Sequence, residues 1–432
     1  MTFPTTKLKW VATTTAGGTP SVAEPSFWSN DDETGLPWVS IGDMSGREGV
    51  TATGRRVTDE GISAARLPVG APGTLLLSMY ASLGHTAFLK TRASWNQAIL
   101  GIDVSSSYDV RFVKYALDAI KPTLTEFARS NTQANLNAEQ VGNLALPDPP
   151  LETQRRIADF LDAESARIDR LTQLRRTQVA TLEQRYITAI SELTTPGIST
   201  AHRRSAAWPW LPEELATARL GYLARVQSGV TVHGARAEDP EDAVFPYLRV
   251  ANVQGERVDL TEIKQITIPR PMAMRSMLQP GDVVMTEANG NPDNLGRGAV
   301  WHGQVANMVH QNHVFAIRVD REKLIPEYLS ALLATSHGRR YFRFTSTQVG
   351  IATTSSSKVL DFPVPVRTTS QQAAVVGECD ALRLTTDRTR SALTRQLGLL
   401  AERRQALITA AVTGQFDVST ASGRNVTEGV SA

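Results

Sequence analysis

The amino-acid sequence repeats its own pattern once, at an offset of about half its 432 residues. Trp38–Gly46 in the first half resembles Tyr247–Gly255 in the second, and each segment runs from an aromatic residue to a glycine. The other matched pairs are Lys7–Ala12 with Arg219–Ala224, Pro72–Leu76 with Pro280–Val284, Asn96–Ile99 with Gln311–Val314, and Thr132–Gln133 with Thr347–Gln348. The matches keep their order, and their offsets stay between 208 and 215 residues. This pattern predicts an internal duplication, so the chain folds as two copies of one module.

Each half begins with short β-rich runs that are separated by Gly, Pro and Asn. Thr74–Met79 and Val314–Val319 are two such runs. Short strands between turn residues are typical of a compact, strand-rich α+β domain. We predict one such domain over residues 1–148, and a linker followed by a second domain over residues 196–370.

Each half ends in a long helical segment. Leu151–Leu193 contains no Gly or Pro, and we predict long helices over residues 149–195 and 371–415. Apolar residues recur at three- and four-residue spacing in both segments, which is typical of a coiled coil. About 43 residues at 1.5 Å each would form a rod of roughly 65 Å, which is too long for the core of one domain. We therefore expect the two helices to pack on each other rather than along their own domains, and we interpret residues 416–432 as a flexible tail.

Several classes of protein are excluded by what the sequence lacks. No run approaches 18 consecutive apolar residues, which excludes a transmembrane helix. The residues up to Gly18 lack the apolar core of a secretory signal. The lone cysteine, Cys379, excludes a disulfide framework and a cysteine-based zinc site. We expect a cytoplasmic protein that does not bind membranes.

Motifs for catalysis are incomplete throughout the chain. Gly229–Gly234 is not followed by the lysine that a phosphate-binding loop requires, and Asn291–Asn294 lacks the second proline and the aromatic residue of an adenine methyltransferase motif. Asp242 with Glu262–Lys264 loosely fits a metal-dependent nuclease, but the first half has no counterpart. The histidines that could suggest a metal site are His302, His310 and His313. They have no acidic or cysteine ligand at helical spacing, so we predict no catalytic residue and no metal site in this chain.

Side chains that can read base edges follow matching β-rich runs in both halves. Asn and Gln match adenine and Arg matches guanine through paired hydrogen bonds, while hydroxyl groups bind phosphates. The candidate DNA-binding residues of the first domain are Ser78, Tyr80, Ser82, Lys90, Arg92, Asn96, Gln97 and Gln133. Those of the second domain are Thr286, Asn289, Asn291, Asn294, Arg297, Gln311, Asn312, His313 and Gln348. Turn formation is an alternative role for any single residue, but clusters at equivalent points of both halves favour DNA binding.

The first long helix carries a specific resemblance to a known family. Leu146–Asp162, with the sequence LPDPPLETQRRIADFLD, resembles the segment that opens the central helix in specificity subunits of type I restriction–modification systems. The end of that helix, Leu182–Arg185, and the end of the second helix, Glu402–Gly414, are also similar to this family. Pro363–Pro365 followed by Gln371–Gln372 is a less complete version of the same opening.

This resemblance implies both an architecture and a function. It implies two target-recognition domains held apart by two long helices in an antiparallel coiled coil, related by a pseudo-two-fold axis. Each domain would read one half of a bipartite site in double-stranded DNA, and the helices would set the length of the unread spacer. The chain itself would be non-catalytic and bind no cofactor. Two methyltransferase (modification) subunits would supply S-adenosylmethionine, and restriction subunits, where the system has a nuclease, would use ATP and Mg.

The resemblance also assigns the helical residues to helix pairing and to docking of the partner subunits. These residues are Gln154, Ile157, Phe160, Leu161, Ile168, Leu171, Leu182, Leu382, Leu393, Leu397, Leu400 and Leu407. Two alternatives to a restriction complex stay open at this point. One is the specificity subunit of a methylation-only system without a nuclease, and the other is a coiled-coil scaffold that binds only proteins.

Overall fold

The computed structural model describes residues 3–31, 35–46, 49–80, 82–130, 135–231 and 242–418. Two compact units share the chain. The first unit comprises Met1–Arg175 and Arg395–Ala432, and the second comprises Arg176–Thr394. Both divisions fall inside the long helices, so each unit holds one strand-rich domain and a part of both helices. No helix in the described part of the chain is long and apolar enough to cross a lipid bilayer.

The first unit is built from short strands, with helices on one side of the sheet. Its strands are β1 (Thr5–Lys7), β2 (Ala12–Ala16), β3 (Trp28–Ser29), β4 (Leu36–Val39), β5 (Arg55–Val57), β6 (Leu75–Ser78), β7 (Thr86–Phe88), β8 (Ser94–Trp95), β9 (Ile99–Val104) and β10 (Ala145–Pro147). Its helices are α1 (Leu8–Val11), α2 (Asp59–Ala65), α3 (Val110–Ser130), α4 (Ala138–Gly142) and the first part of α5 (Leu151–Thr194). The strands form a sheet of order β2-β9-β6-β7, a second sheet of order β3-β5-β4-β8, and the pair β1-β10.

The second unit repeats the main sheets of the first and adds further strands and helices. Its strands are β11 (Thr217–Arg219), β12 (Ala224–Ser228), β13 (Asp242–Leu248), β14 (Val253–Gln254), β15 (Arg257–Val258), β16 (Lys264–Pro269), β17 (Val283–Thr286), β18 (Ala288–Asn289), β19 (Gly298–Val300), β20 (Val309–His310), β21 (Val314–Val319), β22 (Thr347–Val349), β23 (Ile351–Thr353) and β24 (Pro363–Pro365). Its helices are α6 (Arg270–Arg275), α7 (Pro326–Ala334), α8 (Ser336–Thr345), α9 (Ser356–Leu360) and the first part of α10 (Thr369–Thr413). The sheet β12-β21-β17-β19 corresponds to β2-β9-β6-β7, and β16-β13-β20 corresponds to β5-β4-β8.

Strand register confirms the duplication residue by residue. Val39 pairs with Trp95 in the parallel strands β4 and β8, and Leu248 pairs with His310 in the parallel strands β13 and β20. These pairs are related by the offsets of 209 and 215 that the sequence shows. The expected fold class, two strand-rich recognition domains with two long helices, is therefore confirmed.

Gly17 and Gly229 show the same correspondence at a place where the backbone is crowded. A Cβ atom on Gly17 would lie 2.2 Å from the carbonyl oxygen of Asn96, and one on Gly229 would lie 2.1 Å from that of His310. Only glycine fits such an approach, so both halves depend on it to bring the end of β2 or β12 against the neighbouring loop.

The core of each unit lies on both faces of its four-stranded sheet. In the first unit Leu75 and Leu77 face the cluster that includes α3, whereas Leu76 faces the second sheet. In the second unit Val283 and Met285 share a cluster with α7, and Val284 faces the opposite side. Alternate residues of a strand point to opposite faces, so these fully buried strands read as continuous apolar runs.

In the first unit, the beginning of α5 packs on the end of α10. The residues that share this buried cluster are Ile157, Ala158, Leu161, Leu407, Ile408, Ala411 and Val412. Arg404 Nη1 donates to Asp169 Oδ1 at 2.8 Å across the two helices. In the second unit, Ile190 near the end of α5 and Cys379 near the beginning of α10 belong to the same buried apolar cluster. The two helices are therefore antiparallel, and the predicted coiled coil is confirmed.

The structure corrects three assignments on the helices. Leu171 does not take part in helix pairing, since it is 39% exposed and belongs to no apolar cluster of the described residues, and its role in partner docking stays a prediction. Gln154 is buried, but its side chain bonds to the backbone of its own recognition domain instead of to α10. Phe416 packs on Phe160 with ring centroids 5.6 Å apart, so residues 416–418 are not a flexible tail. The remainder of that predicted tail, residues 419–432, lies outside the described residues.

The other predicted pairing positions differ in how far their side chains are buried. Ile168 is buried, and Leu382 packs on the apolar cluster of the second unit. The half-buried positions are Leu182, Leu393, Leu397 and Leu400. Among the described residues, none is buried between positions 169 and 189 of α5 or between positions 380 and 406 of α10. The middle of each helix therefore has much of its surface in contact with solvent.

Candidate nucleic-acid interface

In the first unit, three loops meet at one edge of the four-stranded sheet. Strands β2 and β6 end at this edge and β9 begins there, because β9 is antiparallel to both. We call this set of loops the first loop edge. It comprises residues 17–19, residues 79–85 without the undescribed residue 81, and residues 96–98. The sequence alone could not place these loops together, because the strand order decides which chain ends become neighbours.

Four of the predicted DNA-binding side chains lie at the first loop edge. Tyr80, Ser82 and Gln97 are exposed, and Asn96 is half-buried. Asn96 Oδ1 accepts a 3.0 Å hydrogen bond from the backbone N–H of Ala98, and the Thr19 hydroxyl donates to Gln97 Oε1. This edge therefore offers amide donors and an aromatic ring, and none of these four side chains is charged.

Lys90 and Arg92 do not belong to this cluster, and the prediction that groups them with it is wrong. Strand β7 runs antiparallel to β6, so the residues after β7 lie at the opposite end of the sheet. The backbone N–H of Lys90 bonds to the carbonyl oxygen of Val50 at 3.0 Å there. Both side chains are exposed, so a separate role in DNA binding, away from Gln97, stays a prediction for these two residues.

The prediction that Ser78 and Thr286 contact bases is also wrong. They close the equivalent strands β6 and β17, and both side chains are fully buried. The Ser78 hydroxyl donates to the carbonyl oxygen of Tyr80 at 2.7 Å, and the Thr286 hydroxyl donates to that of Asn294 at 3.0 Å. Their hydroxyls therefore shape the loops that follow and do not face a ligand.

The corresponding edge of the second unit carries more polar side chains. We use the name second loop edge for residues 229–231, 287–297 and 311–313, together with the β22–β23 hairpin. The hairpin belongs to this edge because β18 pairs with β23, with Asn289 opposite Ala352. The exposed Ile351 is in this hairpin, and the sequence analysis missed it. Its signal was the short β-branched run interrupted by Gly350.

The asparagines of the second loop edge differ in what they can still bind. Asn289 Oδ1 accepts from the backbone of Asn291 at 2.9 Å, and Asn291 Oδ1 accepts from that of Asp293 at 3.0 Å. Their oxygens build turns, so the amide N–H groups are the part of each side chain that these turns leave to donate to a ligand. Asn294 is half-buried, and its backbone oxygen is the acceptor for Thr286. Asn312 is half-buried too, and its amide makes no hydrogen bond to the described residues.

Gln311 and His313 flank Asn312 in the same loop. Gln311 Oε1 lies 3.5 Å from the backbone nitrogen of Val250, which leaves its amide N–H groups free to donate. His313 Nδ1 lies 3.3 Å from Glu287 Oε2. Glu287 was not among the predicted residues, although a carboxylate can accept a hydrogen bond from cytosine. Gln311 to His313 therefore present several donors and acceptors within one short loop.

The backbone of Arg297 is part of the second loop edge, but its side chain points away from that edge. Its Nη1 lies 3.5 Å from Gln254 Oε1, and the guanidinium lines a cavity of about 800 Å³ beside the long helices. Burial and the nearby Arg339 lower the pKa of Arg297. The prediction that Arg297 reads a base together with the asparagines is therefore wrong.

The side chains of two predicted residues, Gln133 and Gln348, lie outside the described part of the chain. Gln133 lies outside the described residues. Gln348 has its backbone in β22, opposite Ala352, but its side chain is not described.

The three histidines do not gather around a common point. His310 is buried, and its Nδ1 bonds to the carbonyl oxygen of Val314 at 2.6 Å. Burial lowers the pKa of His310. His302 and His313 are exposed. Glu262, from the loose nuclease motif, pairs with Lys264 at 2.9 Å on the surface. Within the described ranges no group of three His, Cys, Asp or Glu residues could hold a metal ion.

Comparison with known proteins places this geometry in context. Residues 3–182 match the family described as type I restriction modification DNA specificity domain. The EcoKI specificity subunit of Escherichia coli K12 is 24% identical over 295 residues, which is 65% of this chain and 60% of that subunit. The EcoBI specificity subunit of Escherichia coli is 21% identical over 401 residues, 90% of this chain and 81% of that subunit.

A solved structure shares the fold over nearly the whole chain. It comes from work on complex assembly and conformational transition of a type I restriction–modification system, and it is 16% identical with a TM-score of 0.67. The similarity covers 96% of this chain and 98% of that one. Two strand-rich domains and two long helices are therefore an arrangement that this chain shares with a solved protein.

Proposed function

Because residues 3–182 match the specificity domain of type I restriction–modification systems, we propose that this chain is such a specificity subunit and that its two loop edges read the two halves of a bipartite DNA target. One observation carries the proposal. The two edges occupy the same place in the same topology but present different side chains. Equivalent placement supports a shared task, and different side chains support different target sequences.

The side chains of each loop edge can form hydrogen bonds with the edges of DNA bases. The first loop edge offers Tyr80 and Gln97, and the second offers Asn312, His313 and Glu287. Amides, a histidine and a carboxylate can distinguish bases through hydrogen bonds in the major groove, while an aromatic ring can pack on a base or sugar. The side chains named here are not a cluster of lysines. They therefore favour sequence-specific contacts with bases over non-specific attraction to phosphates.

We further propose that the long helices dock two methyltransferase subunits and set the spacer between the half-sites. The exposed large apolar residues in the middle of the helices support docking, because Leu171 and Leu174 lie on one face of α5 and a partner that covers them removes apolar surface from water. These residues are Leu171, Leu174, Leu384 and Leu399. On this proposal S-adenosylmethionine, ATP and Mg are bound by partner subunits, and this chain contributes no catalytic group.

A reciprocal pair of substitutions tests the reading proposal. Gln97 and Asn312 occupy equivalent positions, at the offset of 215. Asn312→Ala should relax one half of the methylated sequence, and Gln97→Ala should relax only the other half. A lost pair of base contacts reduces discrimination by about 1–3 kcal/mol, or roughly 10- to 100-fold.

Methylation-aware sequencing of host DNA, from cells that carry the methyltransferase and each variant, provides the measurement. Each variant serves as the matched control of the other, because both remove an amide from the same loop position. A variant that alters both halves of the target, or neither half, would contradict the assignment of one edge to each half.

A further inference from the structure

Both units expose an aromatic ring at the same position. Trp10 of α1 is 72% exposed, and Tyr222, in the 3₁₀ turn Leu220–Tyr222, is 71% exposed. The two positions are related by the offset of 212. They are outside the loop edges and took no part in the candidate interface. The duplication has thus preserved a feature that neither the core nor DNA reading explains.

The turn that carries each ring is firmly anchored. Leu8 and Leu220, at the start of the two turns, are fully buried. The backbone N–H of Leu8 donates to the carbonyl oxygen of Leu144, and that of Leu220 donates to Phe362, both at 2.9 Å. Each ring is therefore held outwards by a fixed backbone.

A cation accompanies each ring. Lys9 Nζ lies 5.5 Å from the ring centroid of Trp10, and Arg219 Cζ lies 6.0 Å from that of Tyr222. These distances allow a cation–π interaction. Each unit therefore presents an amphipathic aromatic side chain with a cation beside it, although the residue types differ and Arg219 also forms an ion pair with Asp361.

The position of the two patches excludes a role in base reading. Each patch precedes strand β2 or β12, and the loop edge follows the same strand. Five residues of strand span roughly 17 Å, so ring and loop edge lie at opposite ends of the sheet. Each patch adjoins the strand pair β1–β10 or β11–β24, whose second strand ends four residues before α5 or α10 begins.

We propose that Trp10 and Tyr222 are two equivalent contact points for methyltransferase subunits, one on each recognition domain. This inference rests on the proposed function, which assigns docking to the adjoining helices. A site that occurs twice in one chain suits a partner that binds twice. Trp, Tyr and Arg are also the residues that most often dominate the binding energy of protein interfaces. The partner surface should offer an apolar pocket for each ring and an acidic group opposite Lys9, whereas Arg219 is already paired with Asp361.

The test uses the full-length chain with its methyltransferase. Trp10→Ala, Tyr222→Ala and the double variant are compared with Trp10→Phe and Tyr222→Phe, which retain a ring. Native mass spectrometry and titration calorimetry count the bound subunits and measure the affinity of each. Each alanine variant should weaken one of the two binding events by about tenfold, and the double variant should weaken both. The phenylalanine variants should bind two subunits at close to wild-type affinity.

Unfolding temperature and DNA binding by the chain alone serve as controls, because both rings are exposed and should not affect either. Undiminished affinity for two subunits in the double variant would overturn the inference and leave the proposed function intact. A loss of DNA affinity with normal subunit uptake would also overturn it, by identifying the patches as phosphate contacts. If the wild-type chain bound no methyltransferase, the proposed docking function would fail and the inference would fail with it.

Discussion

His337 shows how a single residue can connect the linker, a helix and a strand of the second unit. Trp210 Nε1 donates to its Nδ1 at 3.0 Å, and its Nε2 donates to the carbonyl oxygen of Pro363 at 2.8 Å. The ring also stacks on Phe362, with centroids 4.8 Å apart. Because one ring nitrogen must accept and the other must donate, this arrangement requires the neutral imidazole.

His337 should therefore make stability dependent on pH. Burial lowers the pKa of His337 to about 4, so the unfolded chain takes up a proton before the folded chain does as the pH falls. Stability is complete above the unfolded value near 6.5 and decreases as the pH falls towards 4. The expected loss is roughly 2 kcal/mol at pH 5 relative to pH 7. Urea unfolding at both pH values measures this, and the difference should shrink in His337→Gln but persist in His302→Gln, which alters an exposed ring.

Glu256 gives a second prediction at this scale, with the opposite pH dependence. Its carboxylate is nearly buried, it accepts a 2.6 Å hydrogen bond from the Tyr186 hydroxyl of α5, and Arg383 of α10 lies 4.0 Å away. Burial raises the pKa of Glu256, so its ionisation costs more in the folded chain and stability decreases as the pH rises above its ordinary value. Tyr186→Phe removes the donor and should lower the free energy of unfolding by about 1–3 kcal/mol at pH 7.

The loss in Tyr186→Phe should become smaller at pH 5, where more of the carboxyl is protonated. Tyr222→Phe is the matched control, because it removes a hydroxyl from an exposed ring. An equal loss at both pH values would show that the hydroxyl does not act through the carboxylate.

Residue types predicted the candidate interface only in part, because hydrogen-bond partners decide what a polar side chain is free to do. Asn312 and Gln97 are at the loop edges, as their sequence context suggested. Ser78 is a polar residue of the same kind in the same neighbourhood, yet its hydroxyl bonds to a loop carbonyl. Lys90 is close to Gln97 in sequence but lies at the other end of the sheet. Neither fact can be obtained without the strand order.

At the scale of elements, a buried glutamine joins each long helix to its own recognition domain. Gln154 of α5 accepts from the backbone of Asp109 at 2.9 Å and donates to Pro149. Gln372 of α10 accepts from the backbone of Ile325 at 2.8 Å and donates to Lys323. Asp109 and Ile325 directly precede α3 and α7, so each glutamine satisfies an N–H group at the start of a domain helix.

Replacing either glutamine should loosen the helix that it supports. Gln154→Leu leaves the Asp109 N–H buried without an acceptor, and Gln372→Leu does the same for Ile325. Each should lower the free energy of unfolding by roughly 1–3 kcal/mol. Hydrogen exchange should show faster exchange at the start of α3 in the first variant and of α7 in the second. Gln173→Leu, on an exposed face of α5, should change neither, and unaltered exchange in both test variants would contradict this role.

Helix length was the feature that the sequence predicted most closely. The absence of Gly and Pro predicts Leu151–Leu193, and α5 spans Leu151–Thr194. The apolar stripe was less reliable, because it included Leu171, which is exposed, and Gln154, which bonds to its own domain. A periodic pattern identifies the apolar face of a helix. Which other element packs against each turn of that helix depends on the tertiary fold.

At the scale of the whole molecule, the duplication was the most informative signal in the sequence. It predicted two units of the same topology, and matching register at Val39 and Leu248 confirms this. It could not predict where the units differ. The cavity beside Arg297 and the aromatic cluster around Trp208 depend on insertions and packing that belong to the second half alone.

The length of the two long helices should determine the length of the spacer between the half-sites. Each long helix passes from one unit into the other, at Arg175–Arg176 in α5 and at Thr394–Arg395 in α10. Deleting residues 172–178 and 391–397 removes seven residues from each helix and preserves the heptad phase. At 1.5 Å per residue this shortens each helix by about 10 Å, close to the length of three base pairs of B-DNA. The methylated target should keep both half-sequences and lose about three base pairs of spacer. Deleting five residues from each helix is the matched control, since five residues are about 1.4 helical turns and their loss rotates the apolar face by roughly 140°, which should abolish assembly. An unchanged spacer in a correctly assembled seven-residue variant would show that the helices do not set the distance between half-sites.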